Sequence, residues 1–206
     1  MSRAIELSKK YKSILDKGDI NTPKRLACFF ATIATEVGEQ MIPKEEGGYY
    51  STIKALRNTF YSPFKGQSDA FVSTFLRLDK KDRCLLFNYV YSNRGGNGDI
   101  NSGDGCRYIG RGFFQHTFFN NYRSLSNATG IDYVKTPELL NNEADAMIGA
   151  IWYWNTNRLS VYADSWKLDA IRDYVNIGRG TSKVGDANGF NDFIAYANNF
   201  IKTFAK

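Results

Sequence analysis

The sequence has few of the residues that build most catalytic and metal centres. Among its 206 residues there is one histidine, His116, and there are three cysteines, Cys28, Cys84 and Cys106. A single histidine excludes metal sites made of several histidines, and a Ser-His-Asp or Cys-His mechanism would have to use His116. The cysteines are widely spaced and form no CxxC pair, which argues against a zinc site and a disulfide framework and predicts free thiols.

Long apolar runs are also missing. The longest stretch without Asp, Glu, Lys or Arg covers twelve residues, Ala146 to Asn157, whereas a membrane span takes about 20 apolar residues. Near the start, Arg3, Glu6 and Lys9 interrupt the region where a secretory signal peptide has its apolar core. We therefore expect neither a transmembrane segment nor signal-peptide export.

The remaining composition is that of a globular protein with a basic surplus. Hydrophobic residues make up 43% and charged residues 23%, which excludes a disordered chain. The length predicts a single domain over residues 1–206. The net charge of +6 suits nucleic acid, a membrane surface or a bacterial wall. We expect no nucleic-acid partner, because the sequence has no helix-turn-helix or zinc pattern.

Helical periodicity predicts a mainly α fold. The firmest helix covers residues 23–37, because Thr22 can cap it, Pro23 suits its first position and Gly38 ends it. Further helical stretches are predicted over residues 3–16, 51–60, 69–90, 120–128, 137–154, 167–175 and 190–204. Residues 91–112 contain seven glycines, which is typical of a loop with unusual backbone angles.

The last stretch, residues 190–204, is amphipathic and has two possible uses. Its apolar face can dock on the core or make a weak contact with a membrane surface. Only Lys202 and Lys206 give it a cationic character, so the pattern favours docking on the core.

Carboxylates remain as the candidate catalytic groups. On a helical wheel Glu36 lies about 20° from Phe29, at the edge of the apolar stripe. Partial desolvation at that place would raise the pKa of Glu36, as a general acid working near neutral pH requires. The alternative interpretation is a surface glutamate that ends a helix.

A second carboxylate follows Pro43, at Glu45 or Glu46. A chain that turns back here can bring it opposite Glu36, and inverting glycosidases need a separation of about 6.5–9.5 Å between the two carboxyl groups. Spacing alone does not decide which of the two glutamates is the second catalytic carboxylate. The alternative interpretation is that both belong to a solvated charged turn.

The glycine-rich loop does not match the patterns of known metal or phosphate loops. Asp99, Asn101 and Asp104 lack the EF-hand spacing, and the glycines fit neither a Walker loop nor a dinucleotide fingerprint. We therefore expect no metal and no cofactor. Amides, hydroxyls and aromatic rings alternate through the segment, as in clefts that hydrogen-bond sugar hydroxyls and stack on sugar rings.

One segment resembles a known family. Residues 108–122, YIGRGFFQHTFFNNY, are similar to the signature of glycoside hydrolase family 19, in which Gly-Arg-Gly precedes Gln, Ser or Thr, and Asn-Tyr. The segment FATIATEVG around Glu36, the tryptophans Trp152 and Trp154, and the turn at Asn176 extend the resemblance to about residues 25–200. The run over residues 91–105 is closer to the phage endolysin branch than to plant chitinases.

The resemblance implies roles for individual residues. Glu36 would be the general acid and Glu45, which fits the endolysin spacing better than Glu46, the base, while Thr117 would hold the attacking water. The sugar-binding positions would be Gln115, Asn121, Tyr122 and Asn176, together with Arg111 of the Gly-Arg-Gly motif. The implied fold is mainly α and lysozyme-like, with two lobes and a substrate groove between them.

The implied function is that of an endolysin. It would hydrolyse β-1,4 bonds of bacterial peptidoglycan with inversion, as a monomer without a separate wall-binding module, and wait in the host cytoplasm until a holin releases it. A chitinase is the alternative enzyme. Thr35 and Ile177 stand where the family usually has His and Gly, and His116 takes a normally apolar place, so a catalytically silent glycan-binding protein is a third alternative.

Overall fold

The computed structural model describes residues 3–206, and within this range the chain divides into two compact units. Unit 1 contains the chain up to Lys44, the short segment Gly112–Gln115, and Leu139–Lys206. Unit 2 contains Glu45–Arg111 and His116–Glu138. Both units are built mainly of α-helices, as the sequence predicts.

The elements follow one another with short connections. The helices are α1 Arg3–Lys10, α2 Lys12–Lys17, α3 Pro23–Val37, α4 Ile53–Thr59, α5 Tyr61–Phe64, α6 Asp69–Ser73, α7 Arg83–Tyr91, α8 Asp104–Arg107, α9 Phe119–Thr129, α10 Glu143–Thr156, α11 Leu159–Asp164, α12 Leu168–Ile177 and α13 Phe190–Phe204. A 3₁₀ turn covers Pro137–Asn141, and the strands β1 Lys44–Glu45 and β2 Arg111–Gly112 form a two-stranded sheet.

Helix α3 is the central helix of unit 1, and its ends are those that the sequence predicts. The Thr22 hydroxyl accepts a hydrogen bond from the Arg25 amide at 3.3 Å, and Pro23 occupies the first turn. Gly38 ends the helix at a φ of +88°, a backbone angle that favours glycine. Between these caps α3 is buried almost continuously, which fixes the position of its last turn.

Helices α10 and α13 pack on α3 through aromatic rings. Trp154 of α10 meets Phe29 edge-on, with ring centroids 5.5 Å apart, and Phe204 of α13 stacks on Phe30 at 5.7 Å. Phe193, on the same face of α13, is fully buried. The apolar face of α13 therefore docks on the core of unit 1, which is the use that the sequence favours.

Unit 2 has an apolar core of its own. Its buried members come from α4 to α7 and the glycine-rich loop, and they are Leu56, Phe60, Phe64, Val72, Phe75, Leu86, Phe87, Val90, Tyr91 and Ile109. Helix α8 lies inside the predicted glycine-rich loop and packs against α7. This close packing depends on Gly105, because a Cβ there would come within 2.4 Å of the Phe87 carbonyl oxygen.

The prediction of three free thiols is wrong for two of the cysteines. Cys84 of α7 and Cys106 of α8 form a disulfide, with their Cα atoms 4.9 Å apart. This Cα distance lies within the range of disulfides, about 4.4–6.8 Å. The packing of α8 on α7 brings together cysteines that are 22 residues apart in the sequence. Cys28 is free and buried, and burial raises the pKa of its thiol to about 12.

Three predicted helices are interrupted. The stretch 69–90 breaks between α6 and α7, where Arg77 has a φ of +56° and the Asp79 carboxylate accepts hydrogen bonds from the Lys81 and Asp82 amides. The stretch 3–16 breaks at Tyr11, and 137–154 begins as the 3₁₀ turn before Asn142 caps α10. At Asp79 and at Asn142, side-chain hydrogen bonds to the backbone override the apolar periodicity.

Helix α11 is absent from the sequence prediction. Among the described residues, no helix has the length and apolar character needed to cross a membrane.

Candidate functional site

Glu36 lies in the last turn of α3, in unit 1. Its side chain is 17% exposed and forms an ion pair with Nη1 of Arg172, whose own side chain is 4% exposed. Nearly buried charges are stable only when they are paired in this way. The pairing therefore defines a specific polar centre at the end of α3 rather than a solvated helix terminus.

Arg172 connects Glu36 to Asn176. Its Nε donates a 2.6 Å hydrogen bond to the Asn188 carbonyl oxygen, and the Asn188 amide donates to Oδ1 of Asn176 at 2.9 Å. Arg172 and Asn176 are four residues apart on α12, so they share one face of the helix. We call Glu36, Arg172, Asn176 and Asn188 the Glu36 cluster.

Two neighbours constrain the Glu36 cluster. Gly189 has a φ of +72°, and a Cβ there would come within 2.9 Å of Thr35 Cγ2 and 3.5 Å of Arg172 Nη2. Burial, and then the negative charge of Glu36, raise the pKa of Tyr153 to about 12. Tyr153 is thus a protonated phenol close enough to Glu36 to feel its charge.

Glu45 forms a second centre, in unit 2. Its side chain is 15% exposed, and its two oxygens meet Arg83 Nη2 at 2.5 Å and Arg111 Nε at 2.8 Å. Lys80 adds a third positive charge at 3.8 Å. Three cations around one carboxylate stabilise its ionised form. We call Glu45, Arg83 and Arg111, together with Tyr122, the Glu45 cluster.

Arg111 and Tyr122 are the buried members of this cluster, and they are hydrogen-bonded to each other. Arg111 Nη1 donates to the Tyr122 hydroxyl at 3.1 Å and to the Arg107 carbonyl at 2.7 Å. The Tyr122 hydroxyl donates to the Ile109 carbonyl at 2.8 Å, and burial raises the pKa of Tyr122 well above its ordinary value. Tyr122 is fully buried and Arg111 is 3% exposed. That these two side chains contact sugar stays a prediction; in the structure Arg111 binds Glu45 directly, and Tyr122 binds Arg111.

Glu46 has different surroundings from Glu45. Its carboxylate accepts hydrogen bonds from the Tyr91 hydroxyl at 2.8 Å and from the Gly110 amide at 3.2 Å. Burial raises the pKa of Glu46, although these hydrogen bonds and the charges of Arg83 and Arg111 oppose that effect. Glu46 therefore keeps its proton to a higher pH than an ordinary glutamate.

The other predicted site residues lie near the β2 turn and the start of α9. Gln115, in unit 1, has a φ of +51°, and its Nε2 donates to the carbonyls of Lys44 at 3.0 Å and Gly112 at 2.9 Å. In unit 2, Asn121 donates from Nδ2 to the Thr117 carbonyl at 2.7 Å. Asn121 is exposed and Thr117 is half-buried.

Part of the chain is similar to known proteins of one family. The family model described as Chitinase class I matches residues 86–165. A glycosyl hydrolase family 19 domain-containing protein of Haemophilus influenzae is 36% identical over 121 residues, which cover 56% of this chain and 58% of that protein. Residues 86–165 of the chain are therefore similar to glycoside hydrolase family 19. The helices described above confirm the mainly α, lysozyme-like fold class that the resemblance implies.

A second relative is Chitinase 8 of Oryza sativa subsp. japonica. It is 39% identical over 59 residues, which cover 28% of this chain and 23% of the rice protein. The chain thus spans 58% of the length of the Haemophilus protein and 23% of the length of the rice protein.

The family 19 match reaches only part of the candidate site. Its range, residues 86–165, includes Thr117 and Asn121 but neither Glu36 nor Glu45. The structure links Glu36 to Asn176 through Arg172 and Asn188. It places Arg111 against Glu45, and the buried Tyr122 against Arg111.

Sequence reasoning missed three residues of the two clusters, namely Arg83, Arg172 and Asn188. It also missed Tyr153, a neighbour of the Glu36 cluster. Arg172 lies one helical turn before Asn176, and this spacing is a signal that the sequence offers. Nothing comparable marks Arg83, which is 38 residues from Glu45 and meets it only through the fold of unit 2.

No group of three or more metal-binding side chains occurs in the part of the chain that the structure describes. In the glycine-rich loop, Asp99 accepts hydrogen bonds from the Asn101 and Ser102 amides, and Asp104 accepts one from the Gly98 amide. These carboxylates therefore stabilise the turns of the loop itself.

Proposed function

We propose that this family 19 chain is an endolysin that hydrolyses the β-1,4 glycosidic bonds of bacterial peptidoglycan with inversion. The observation that carries the proposal is that Glu36 and Glu45 are each largely buried and each paired with arginine. Isolated carboxylates are rarely buried at all. Burial of two, at the positions where the family 19 resemblance implies acid and base, supports a catalytic use.

In this proposal Glu36 gives its proton to the glycosidic oxygen as the bond from that oxygen to the anomeric carbon breaks. Water attacks the anomeric carbon from the opposite face and gives its proton to Glu45. The Thr117 hydroxyl holds this water. Glu36 has to be protonated when it acts, so its ion pair with Arg172 opens as the substrate binds.

The exposed amides of Asn121 and Asn176, with that of Gln115, are proposed to hydrogen-bond the sugar. Arg83 and Arg111 are proposed as positioning residues, because they touch Glu45 and are nearly buried. The buried Tyr122 supports them through its hydrogen bond with Arg111. They keep the carboxylate ionised and fix its direction.

Replacement of Glu36 by Gln tests the proposal. The amide keeps the shape of the side chain but carries no proton for the leaving oxygen, so we expect a loss of about 100- to 10,000-fold. The measurement is the release of reducing ends from Gram-negative walls stripped of their outer membrane. Glu138→Gln, at an exposed glutamate, is the matched control and retains activity. Full lytic activity of a folded Glu36→Gln variant would show that Glu36 is not the acid.

A chitinase is the second candidate. It is favoured by the matching family description and by the rice relative, both of which are named as chitinases. Rates on chitin oligomers and on peptidoglycan, measured with the same preparation, separate the two enzymes. Rapid cleavage of chitin with inert walls would reverse the order proposed here.

The third candidate, a silent glycan-binding protein, rests on Thr35 and Ile177, which depart from the family pattern. It predicts that the protein pellets with walls without releasing soluble fragments.

The proposal also includes a location and a mode of delivery. The protein would act as a monomer on glycan strands of the wall, after a holin has opened the inner membrane. Its net charge of +6 would assist approach to an anionic envelope. Fractionation of lysing cells, with and without the holin, would follow the enzyme to the wall.

A further inference from the structure

Unit 1 contains a pocket that is separate from the Glu36 cluster. It is formed by α1, by α13 and by the turn that follows α3, and it encloses about 500 Å³. Its lining includes Glu6, Glu39, Gln40, Tyr196, Asn199 and Phe200. The volume falls within the range of small-ligand sites, about 300–1,000 Å³. We call this cavity the α13 pocket.

Two aromatic rings give the α13 pocket an apolar wall. Tyr196 and Phe200 are one turn apart on α13, with ring centroids 6.1 Å apart and planes inclined by 13°. Both are half-buried, and the Tyr196 hydroxyl donates to Glu39 Oε1 at 3.3 Å. Nearly parallel rings at this spacing offer a surface on which the apolar faces of sugar rings pack.

Exposed amides and carboxylates surround the aromatic wall. Gln40 and Asn199 each carry both donors and acceptors, and they are exposed. An N-acetyl group presents one N–H and one carbonyl, which such amides complement. Carboxylates accept hydrogen bonds from sugar hydroxyls, and Glu6 and Glu39 provide two of them.

The charge of the α13 pocket selects against anionic ligands. Arg3 is the cation in its lining, and it is ion-paired with Glu6 and Glu143. Glu39 adds a further negative charge. The pocket therefore differs from the protein as a whole, whose net charge is +6, and it disfavours phosphate or carboxylate groups.

We propose that the α13 pocket is a second glycan-binding site, which holds uncharged N-acetylated sugars of the polymer on which Glu36 and Glu45 act elsewhere. The identity of the ligand rests on the proposed function, since the same polymer is the substrate. Such a site would retain the enzyme on an insoluble polymer between cleavage events.

Binding to a protein that cannot turn over its ligand tests this inference. The Glu36→Gln protein, labelled with ¹⁵N, is titrated with chitotetraose while the amide resonances of α13 are followed. We expect saturable shifts at Tyr196, Asn199 and Phe200. Unmoved α13 resonances, with shifts confined to other regions, would overturn the inference.

Variants within α13 make the test specific. In the same background Tyr196→Ser removes one ring and should weaken binding at α13 by about tenfold. Asn199→Ala removes an exposed amide, so it tests the site without disturbing the core. Asn198→Ala is the matched control, because Asn198 is exposed on the same helix and lies outside the lining. Equal affinities for all three variants would contradict the proposal, as would tighter binding of trilysine than of chitotetraose.

The outcomes separate this inference from the proposed function. Saturable binding at α13, with no hydrolysis of wall or chitin by the unmodified protein, would refute the enzyme and keep the site. Hydrolysis by the unmodified protein without binding at α13 would refute the site and keep the enzyme.

Discussion

Glu45 and Glu46 are adjacent in the sequence but are held by opposite kinds of partner. Glu45 meets two guanidinium groups, whereas Glu46 accepts hydrogen bonds from the neutral Tyr91 hydroxyl and Gly110 amide. Burial raises the pKa of Glu46. A base has to be ionised before it accepts a proton. At the scale of the residue, the surroundings therefore favour Glu45 as the base, which agrees with the spacing implied by the family resemblance.

Paired substitutions test the choice between these two glutamates. Glu45→Ala should reduce wall hydrolysis by about 100-fold or more, whereas Glu46→Gln should leave it within severalfold of the unmodified protein. The Glu45 substitution also leaves two nearly buried arginines without their partner, so loss of folding has to be separated from loss of the base. Sodium azide should partly restore glycan cleavage to a folded Glu45→Ala variant, because azide needs no base: it bonds to the anomeric carbon as Glu36 protonates the leaving oxygen. The product to measure is an α-glycosyl azide rather than a reducing end. The reverse order of effects would assign the base to Glu46.

The stability of the protein should respond to Glu46 in a defined pH range. Its pKa in the folded state is raised above the value of about 4.3 expected in the unfolded chain. Folding therefore favours the protonated form of Glu46. The stability that this form contributes is present at pH values below the pKa of Glu46 in the unfolded chain, and it is lost as the pH rises through the pKa in the folded state.

We therefore expect Glu46→Gln, which stays neutral, to melt at a higher temperature than the unmodified protein at pH 7. Its amide oxygen can accept from the Gly110 amide, and its Nε2–H can donate to the Tyr91 hydroxyl oxygen. The difference should shrink towards pH 4. Thermal denaturation followed by circular dichroism measures it, and a lower melting temperature of the variant at pH 7 would contradict this assignment.

Part of the candidate site is visible in the sequence at this scale. The position of Glu36 on the helical wheel of α3 indicates it as a candidate catalytic carboxylate, and the family resemblance indicates Glu45. The contacts of Tyr122 and of Arg83 are not visible, because both depend on burial and on pairings across many residues of unit 2. A motif identifies residue types, but it does not state whether a tyrosine faces sugar or supports an arginine.

At the scale of the element, the disulfide between α7 and α8 lies beside the Glu45 cluster. Cys84 follows Arg83, which binds Glu45, and Cys106 precedes Arg107, whose carbonyl binds Arg111. The bond therefore joins two short helices that hold the arginines of this cluster in place.

Removal of the disulfide should destabilise the protein. A closed loop of this length is worth about 3 kcal/mol of unfolding free energy. Cys84→Ser and Cys106→Ser should each cost about this amount, and the double variant should cost no more than either single one. Chemical denaturation with and without dithiothreitol measures the effect. Three free thiols by mass spectrometry after alkylation, or no response to dithiothreitol, would contradict the pairing.

The helices differ in how well the sequence predicts them. α3 has the predicted ends because Thr22, Pro23 and Gly38 cap it. α13 begins and ends where its apolar repeat begins and ends. The predicted helix over residues 69–90 is wrong as one element, because a left-handed residue at Arg77 and the turn at Asp79 divide it. The apolar repeat continues through that break and so conceals it.

At the scale of the whole molecule, the similarity to family 19 supports a hydrolase more strongly than charge does. The net charge of +6 suits several anionic partners, whereas the family 19 match and the two arginine-paired glutamates point to a glycan. That residues 1–206 act as one catalytic domain stays a prediction, since the structure describes two compact units.

The stereochemistry of the product tests the central claim most directly. Peptidoglycan strands are incubated with the unmodified protein, and the anomeric protons of newly formed reducing ends are followed by ¹H NMR before mutarotation. An acid and a base acting on opposite faces of the sugar invert the β-linkage, so the account predicts that the α-anomer forms first. A β-anomer at the earliest time, or no new reducing ends at all, would contradict it.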